Sequence, residues 1–177
     1  ADVVDLTDPA AYLRARLAAA GLERAVGLMT ARDVRRHHLA RSTVDGIGAV
    51  ALVTAGLTNG ERIGERCADP ALPAVAGTIN ALVHVSVPLT RGAFLEAMSL
   101  AVQARTVAVA EAGIRRGRAV VTGTGTDCLV VAAPSGPDPA VYAGLHTAIG
   151  EAVGAAVLSA TRAAVAGWVA DQTGTAP

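Results

Sequence analysis

Val120-Val121-Thr122-Gly123-Thr124-Gly125-Thr126-Asp127-Cys128-Leu129-Val130-Val131 decides how this chain is read. An apolar run enters, a Gly/Thr alternation interrupts it, one carboxylate follows, and a second apolar run leaves. Glycines between two strand-like runs permit the positive φ of a tight bend, or the close approach of a ligand to the backbone. Three hydroxyls, exposed backbone N–H groups and Asp127 then converge at the end of a sheet. A Walker loop is excluded, because it needs a Lys-Ser/Thr pair and the chain has no lysine. A Rossmann loop is excluded too: it must open a helix, and this one opens onto residues 128–133, which read as strand. The plain alternative is a glycine-rich corner whose threonines merely suit strands.

Working outward, residues 77–87 form the clearest strand. Ile79, Ala81, Val83, Val85 and Val87 face one way. Thr78, Asn80, His84 and Ser86 face the other, with Leu82 among them, so one face is buried and the other partly polar. Thr78 and Asn80 stand at its start; His84 reads as a satisfied histidine further along. Pro88 stops the strand, and a helix over 93–112 follows, ended by Gly113 and carrying the apolar stripe Phe94, Leu95, Met98, Val102 and Val109. Its second stripe, Glu96, Ser99, Gln103 and Thr106, is sparse in charge for a solvated face. Asp45-Gly46 predicts a hairpin between 39–44 and 47–54, the second arm being a central strand that runs into the small-residue loop 54–60. Residues 25–29 read as a brief strand, and Thr30 to Asp33 as the cap of one helical turn. His37-His38 are read as surface residues, because neighbours on a strand point to opposite faces and chelate one ion poorly. Asp5 to Pro9 start a short helix that Gly21 ends. A last helix is expected over 140–170, with Tyr142, His146, Thr147 and Glu151 in its opening turns. Ala143, Thr147, Gly150 and Gly154 form a ridge of small residues along it.

The bulk numbers agree with one domain over 1–177. Hydrophobic residues make up 52% and aromatics 2%, so the core is built from Ala, Val, Leu and Ile. Fifteen basic and fifteen acidic residues balance to a net charge of +0, which removes the electrostatic footprint of a nucleic-acid binder. Cys67, in an expected surface excursion over 60–73, and Cys128, in an expected buried strand, suggest neither a disulfide framework nor a metal cluster. Polar residues are expected to break each apolar run before membrane-spanning length, and no leader pattern opens the sequence. The expectation is a soluble cytoplasmic protein with no membrane partner. The last helix, with no charge between Glu151 and Arg162, points to a homo-oligomer.

Four segments carry a resemblance. Thr54-Ala55-Gly56-Leu57-Thr58-Asn59, Gly77-Thr78-Ile79-Asn80, Thr122-Gly123-Thr124-Gly125-Thr126-Asp127 and Tyr142-Ala143-Gly144-Leu145-His146-Thr147-Ala148-Ile149-Gly150-Glu151 resemble, in this order, the adenosylcobinamide amidohydrolase (CbiZ) family. The resemblance implies hydrolysis of the aminopropanol amide of adenosylcobinamide, giving adenosylcobyric acid for cobalamin salvage. The corrinoid is the substrate and its cobalt belongs to it; no cofactor or metal site of the protein's own is implied. The family's long helix often carries Thr-Glu-Ala-Lys-Thr, where this chain has Val102-Gln103-Ala104-Arg105-Thr106. A catalytic glutamate at that position could not be replaced by Gln103, and this favours the alternative of a non-catalytic corrinoid- or nucleotide-binding module.

Amide hydrolysis needs a nucleophile or activated water, a base, and donors for the tetrahedral oxyanion. No serine elbow is present. The expected base is Asp127 or Glu151, with His146 as proton donor and Thr126 or Thr124 as the alternative nucleophile. The backbone around Gly123, Thr124 and Gly125 is expected to hold the oxyanion, and Thr54, Asn59, Thr78, Asn80 and Thr147 the substrate. The fold expected is α+β, a mixed and largely antiparallel sheet packed against two long helices.

Overall fold

The computed structural model describes residues 7–65 and 77–174. Asp5, Leu6, Cys67 and the larger part of the expected excursion over 60–73 lie outside the described residues. In chain order the elements are α1 (Pro9–Ala19), a 3-10 turn (Val34–Arg36), β1 (His38–Val44), β2 (Ile47–Ala55), β3 (Gly60–Glu61) and β4 (Ile79–Val85). They continue with α2 (Arg91–Glu111), β5 (Arg115–Arg116), β6 (Ala119–Val120), β7 (Gly123–Thr124), β8 (Cys128–Ala132) and α3 (Ala148–Thr173).

The main sheet has the order β1-β2-β4-β8. Asp45 and Gly46 join β1 to β2 with φ of 48° and 79°, the two positive values that a type I′ hairpin requires. β2 is also antiparallel to β4, in the register Thr54↔Asn80 and Leu52↔Leu82. β4 runs parallel to β8, with Asn80 beside Cys128. α2 is the connection that a parallel pair requires. The mixed α+β character and the predominance of antiparallel pairing match the expectation.

Alternation decides which face of the sheet is covered. Ala49, Ala51, Val53 and Ala55 of β2 and Ile79, Ala81, Val83 and Val85 of β4 are buried. They share one core with Ala97 and Ala101 of α2 and with Ala152, Val153, Ala156 and Val157 of α3. Alanine on the facing surfaces shortens the distance between layers and leaves valine to fill the gaps. By length and hydropathy both α2 and α3 would reach across a bilayer, so polar residues do not interrupt their apolar runs as expected. Their buried stripes are occupied by the sheet and by each other.

The opposite, outer face of the sheet carries Leu39, Leu52, Thr54, Asn80, Leu82 and His84. Leu39 and Leu82 remain 47% and 42% exposed. Residues 25–29 are not a strand: the chain crosses this face irregularly, and the Met29 carbonyl accepts a 2.7 Å hydrogen bond from Asn80 Nδ2. Cys128 is exposed rather than buried, because its parallel partner Asn80 puts it on the same open face.

The last helix begins at Ala148, eight residues later than expected. Thr147 is its cap: Oγ1 accepts from Gly150 N at 3.0 Å and donates to Gly144 O at 2.8 Å. A Cβ on Gly150 would stand 2.1 Å from the Gly144 carbonyl oxygen. That glycine lets residues 143–147 fold back onto the first helical turn, which leaves Tyr142 and His146 outside the helix.

Candidate functional site

At one end of the main sheet β2 finishes while β4 and β8 begin, and the loops after β2 and before β8 meet there. Gly60-Glu61 of β3 and Gly123-Thr124 of β7 pair as a short antiparallel ribbon. Asp127 holds this end together. Its Oδ1 accepts from Ile79 N at 3.0 Å and from the Thr124 hydroxyl. Its Oδ2 accepts from Thr124 N at 3.0 Å and lies 3.3 Å from Arg105 Nη1 of α2. The side chains of Asp127 and Arg105 are 8% and 13% exposed. One carboxylate thus ties the Gly/Thr loop to the first residue of β4 and to a helix.

The neighbouring hydroxyls are spent in the same way. Thr126 Oγ1 donates to Gly77 O at 2.6 Å, and Thr78 Oγ1 donates to Thr126 O at 2.7 Å. Asn59 Nδ2 reaches Thr126 Oγ1 at 3.5 Å, while Asn59 Oδ1 is buried without a partner. Neither Gly123 nor Gly125 has positive φ. Gly123 is required for proximity, since a Cβ there would fall 2.6 Å from Asp127 Oδ2, whereas a Cβ on Gly125 meets nothing within 4 Å. Gln103, where the family pattern has glutamate, is exposed and hydrogen-bonded to Ser99 at 3.3 Å. Two residues along a helix turn it about 200° from Arg105, so that position faces away from the Asp127 cluster.

Thr54 and Asn80, paired across β2 and β4, lead onto the outer face instead. With Leu52 and Leu82 they form the floor of a cavity of about 310 Å³. Leu28 and Thr30 of the crossing segment, with Val34 and His37 of the 3-10 turn and its end, close it. Thr54 is 5% exposed, and its buried hydroxyl has no hydrogen-bond partner. Leaving a buried hydroxyl unsatisfied costs about 1–3 kcal/mol. Asn80 is 7% exposed. His37 is exposed, and its Nδ1 lies 3.0 Å from Val34 O. A carbonyl only accepts, so Nδ1 carries the proton and the neutral ring keeps a lone pair on Nε2. His37 was the residue of this cavity that sequence reasoning set aside. Its tautomer depends on a turn whose cap, Asp33 accepting from Arg35 N at 3.0 Å, fixes the Val34 carbonyl.

The remaining expected residues lie elsewhere. The Leu89–Ala140 bridge and the 2.6 Å bond from Ala143 N to Glu96 Oε2 fix residues 140–143 at the start of α2, where β4 ends. Exposed His146, exposed Glu151 at the start of α3, and the capping Thr147 therefore sit at the far end of the sheet from Asp127. α3 reaches the loop end only with its last turns, where Gly167 approaches His38. The seven residues of β4 alone separate the two ends by roughly 20 Å. The expectation that Asp127 shares one site with His146, Thr147 and Glu151 is corrected: the chain brings together Thr54, Asn59, Thr78, Asn80, Gly123, Thr124, Gly125, Thr126 and Asp127, and separates from them His146, Thr147 and Glu151. Among the described residues no group of three or more His, Cys, Asp or Glu side chains is arranged to hold a metal ion.

A family model described as adenosylcobinamide amidohydrolase matches residues 1–173. No curated protein and no solved structure matches the chain.

Proposed function

The chain belongs to the adenosylcobinamide amidohydrolase family, and from that premise we propose that it hydrolyses the aminopropanol amide of adenosylcobinamide, giving adenosylcobyric acid and aminopropanol. The observation that carries the placement of the reaction is the unpartnered Thr54 hydroxyl beside Asn80 in the floor of the outer cavity. A mostly apolar cleft with a few convergent polar groups is the usual form of a small-molecule site. At about 310 Å³ the cavity suits one amide-bearing arm, with the macrocycle remaining outside on the apolar face near Leu39 and Leu82. Asp127 positions the loop in this reading, since Ile79, Thr124 and Arg105 occupy both of its oxygens. The protein acts as one unit over 1–177, in the cytoplasm and as a homo-oligomer. Leu95 and Val102, two turns apart on the exposed side of α2, are the apolar residues a second copy would cover.

Incubation with adenosylcobinamide followed by chromatography tests the reaction: release of aminopropanol supports it, and an unchanged corrinoid at saturating protein refutes it. The saturation of Asp127 also favours a second reading, a module that holds a corrinoid without chemistry. Tight binding with no aminopropanol released would select that reading.

A further inference from the structure

We propose that His37 is the proton-transfer residue of the outer cavity, an assignment that rests on the amide-hydrolase reading above. Of the residues lining that cavity, His37 is the one whose side chain can both take up and release a proton. The Nδ1–H bond to Val34 O, 3.0 Å long, holds the ring and leaves Nε2 as the acceptor. Across the cavity stands the Thr54 hydroxyl, buried and without a partner, and beside it Asn80, whose amide is oriented by Met29 O at 2.7 Å. The other candidates for the base are engaged or distant: Asp127 is bonded on both oxygens, and Glu151 and His146 stand at the opposite end of the sheet.

The step balances with water as the only co-reactant. As a water oxygen bonds to the amide carbon, Nε2 takes a proton from that water, and the carbonyl oxygen gains charge over the polar part of the floor formed by Thr54 and Asn80. The imidazolium then gives the proton to the amide nitrogen as the C–N bond breaks. The amine departs, the carboxylic acid ionises, and the ring returns to its neutral form. The charged and titratable groups next to His37 in the chain are His38, Asp33 paired with Arg35, and Arg32 and Arg36, both paired with Asp171 of α3.

His37→Gln keeps a side-chain donor for the Val34 carbonyl and removes the basic Nε2. Turnover of adenosylcobinamide is expected to fall by roughly 10²–10⁴, the usual share of general acid–base catalysis. Binding of adenosylcobinamide, followed by equilibrium dialysis, is expected to change little. The acid limb of the wild-type kcat profile should disappear in the variant, and added imidazole should restore part of the turnover of His37→Ala. A His37→Gln variant with near-wild-type kcat and an unchanged pH profile would overturn the assignment while leaving the hydrolase reading intact. A wild-type protein that releases no aminopropanol overturns both.

Discussion

Asp127 stands in the Gly/Thr loop where sequence reasoning places a base, yet its chemistry is that of a fastener. Two backbone N–H groups and one hydroxyl donate to it, and Arg105 supplies the counter-charge. An asparagine at this position would turn its NH₂ toward donors and leave Arg105 with an uncompensated, mostly buried charge. Removing one partner of a buried pair costs about 3–5 kcal/mol. Asp127→Asn is therefore expected to lower unfolding stability by that order in denaturant titrations, rather than to lower turnover alone; an unchanged midpoint would show the carboxylate to be dispensable to the fold. The neighbouring glycines separate the same way. Gly123→Ala places a methyl against the pinned Asp127 carboxylate and should destabilise the loop, whereas Gly125→Ala enters open space with ordinary φ and should shift the melting temperature little. Equal losses from the two alanines would contradict this geometry.

The start of α3 shows how a local motif and a tertiary contact combine. Losing the Thr147 side chain removes the capping bond from Gly150 N and the bond to Gly144 O, so Thr147→Ala should cost about 1 kcal/mol. Gly150→Ala should cost distinctly more, because its methyl must displace the Gly144 backbone, and with it the Ala143–Glu96 bond to α2. Thermal unfolding of the two variants gives the ranking; the reverse order would mean that residues 143–147 yield easily. This element also marks how far the sequence was legible. Alternation in β4, the Asp45-Gly46 turn and the glycine after α2 act through neighbouring residues, and each gave its element to within a few positions. The fold-back at Gly150 is a contact between segments, invisible in helical periodicity, and it displaced Tyr142 and His146 from the helix. The irregular path of residues 26–30 depends likewise on Asn80, about fifty positions away. That Thr54, Asn80 and the loop residues lie near one another was legible because chain polarity alone brings strand ends together. That His37 lines the outer cavity was not legible, because a turn and not spacing brings it there.

Over the whole molecule, buried residues of α2, α3 and the sheet form one core, and the edge strand β1 meets the end of α3. His38 occupies that seam: its Nε2 is 3.0 Å from where a Cβ of Gly167 would stand. Burial, followed by the neighbouring Arg32 and His37, lowers its pKa from the ordinary value of 6.5. The folded state thus favours the neutral ring, and the unfolded chain binds the extra proton first. Stability from this group is complete above about 6.5 and is lost as pH falls through the lower, folded value. The carboxylates held down by arginine, Glu111 by Arg162 and Asp33 by Arg35 at about 2, add their losses only in the more acidic carboxylate range. They are exposed, so their share is small. The melting temperature should therefore begin to fall between pH 7 and pH 5, before those carboxylates protonate, and His38→Gln should flatten this part of the curve while leaving the steeper acid limb. If the variant loses as much between pH 7 and pH 5 as the wild type does, the seam between β1 and α3 is not what responds to the proton.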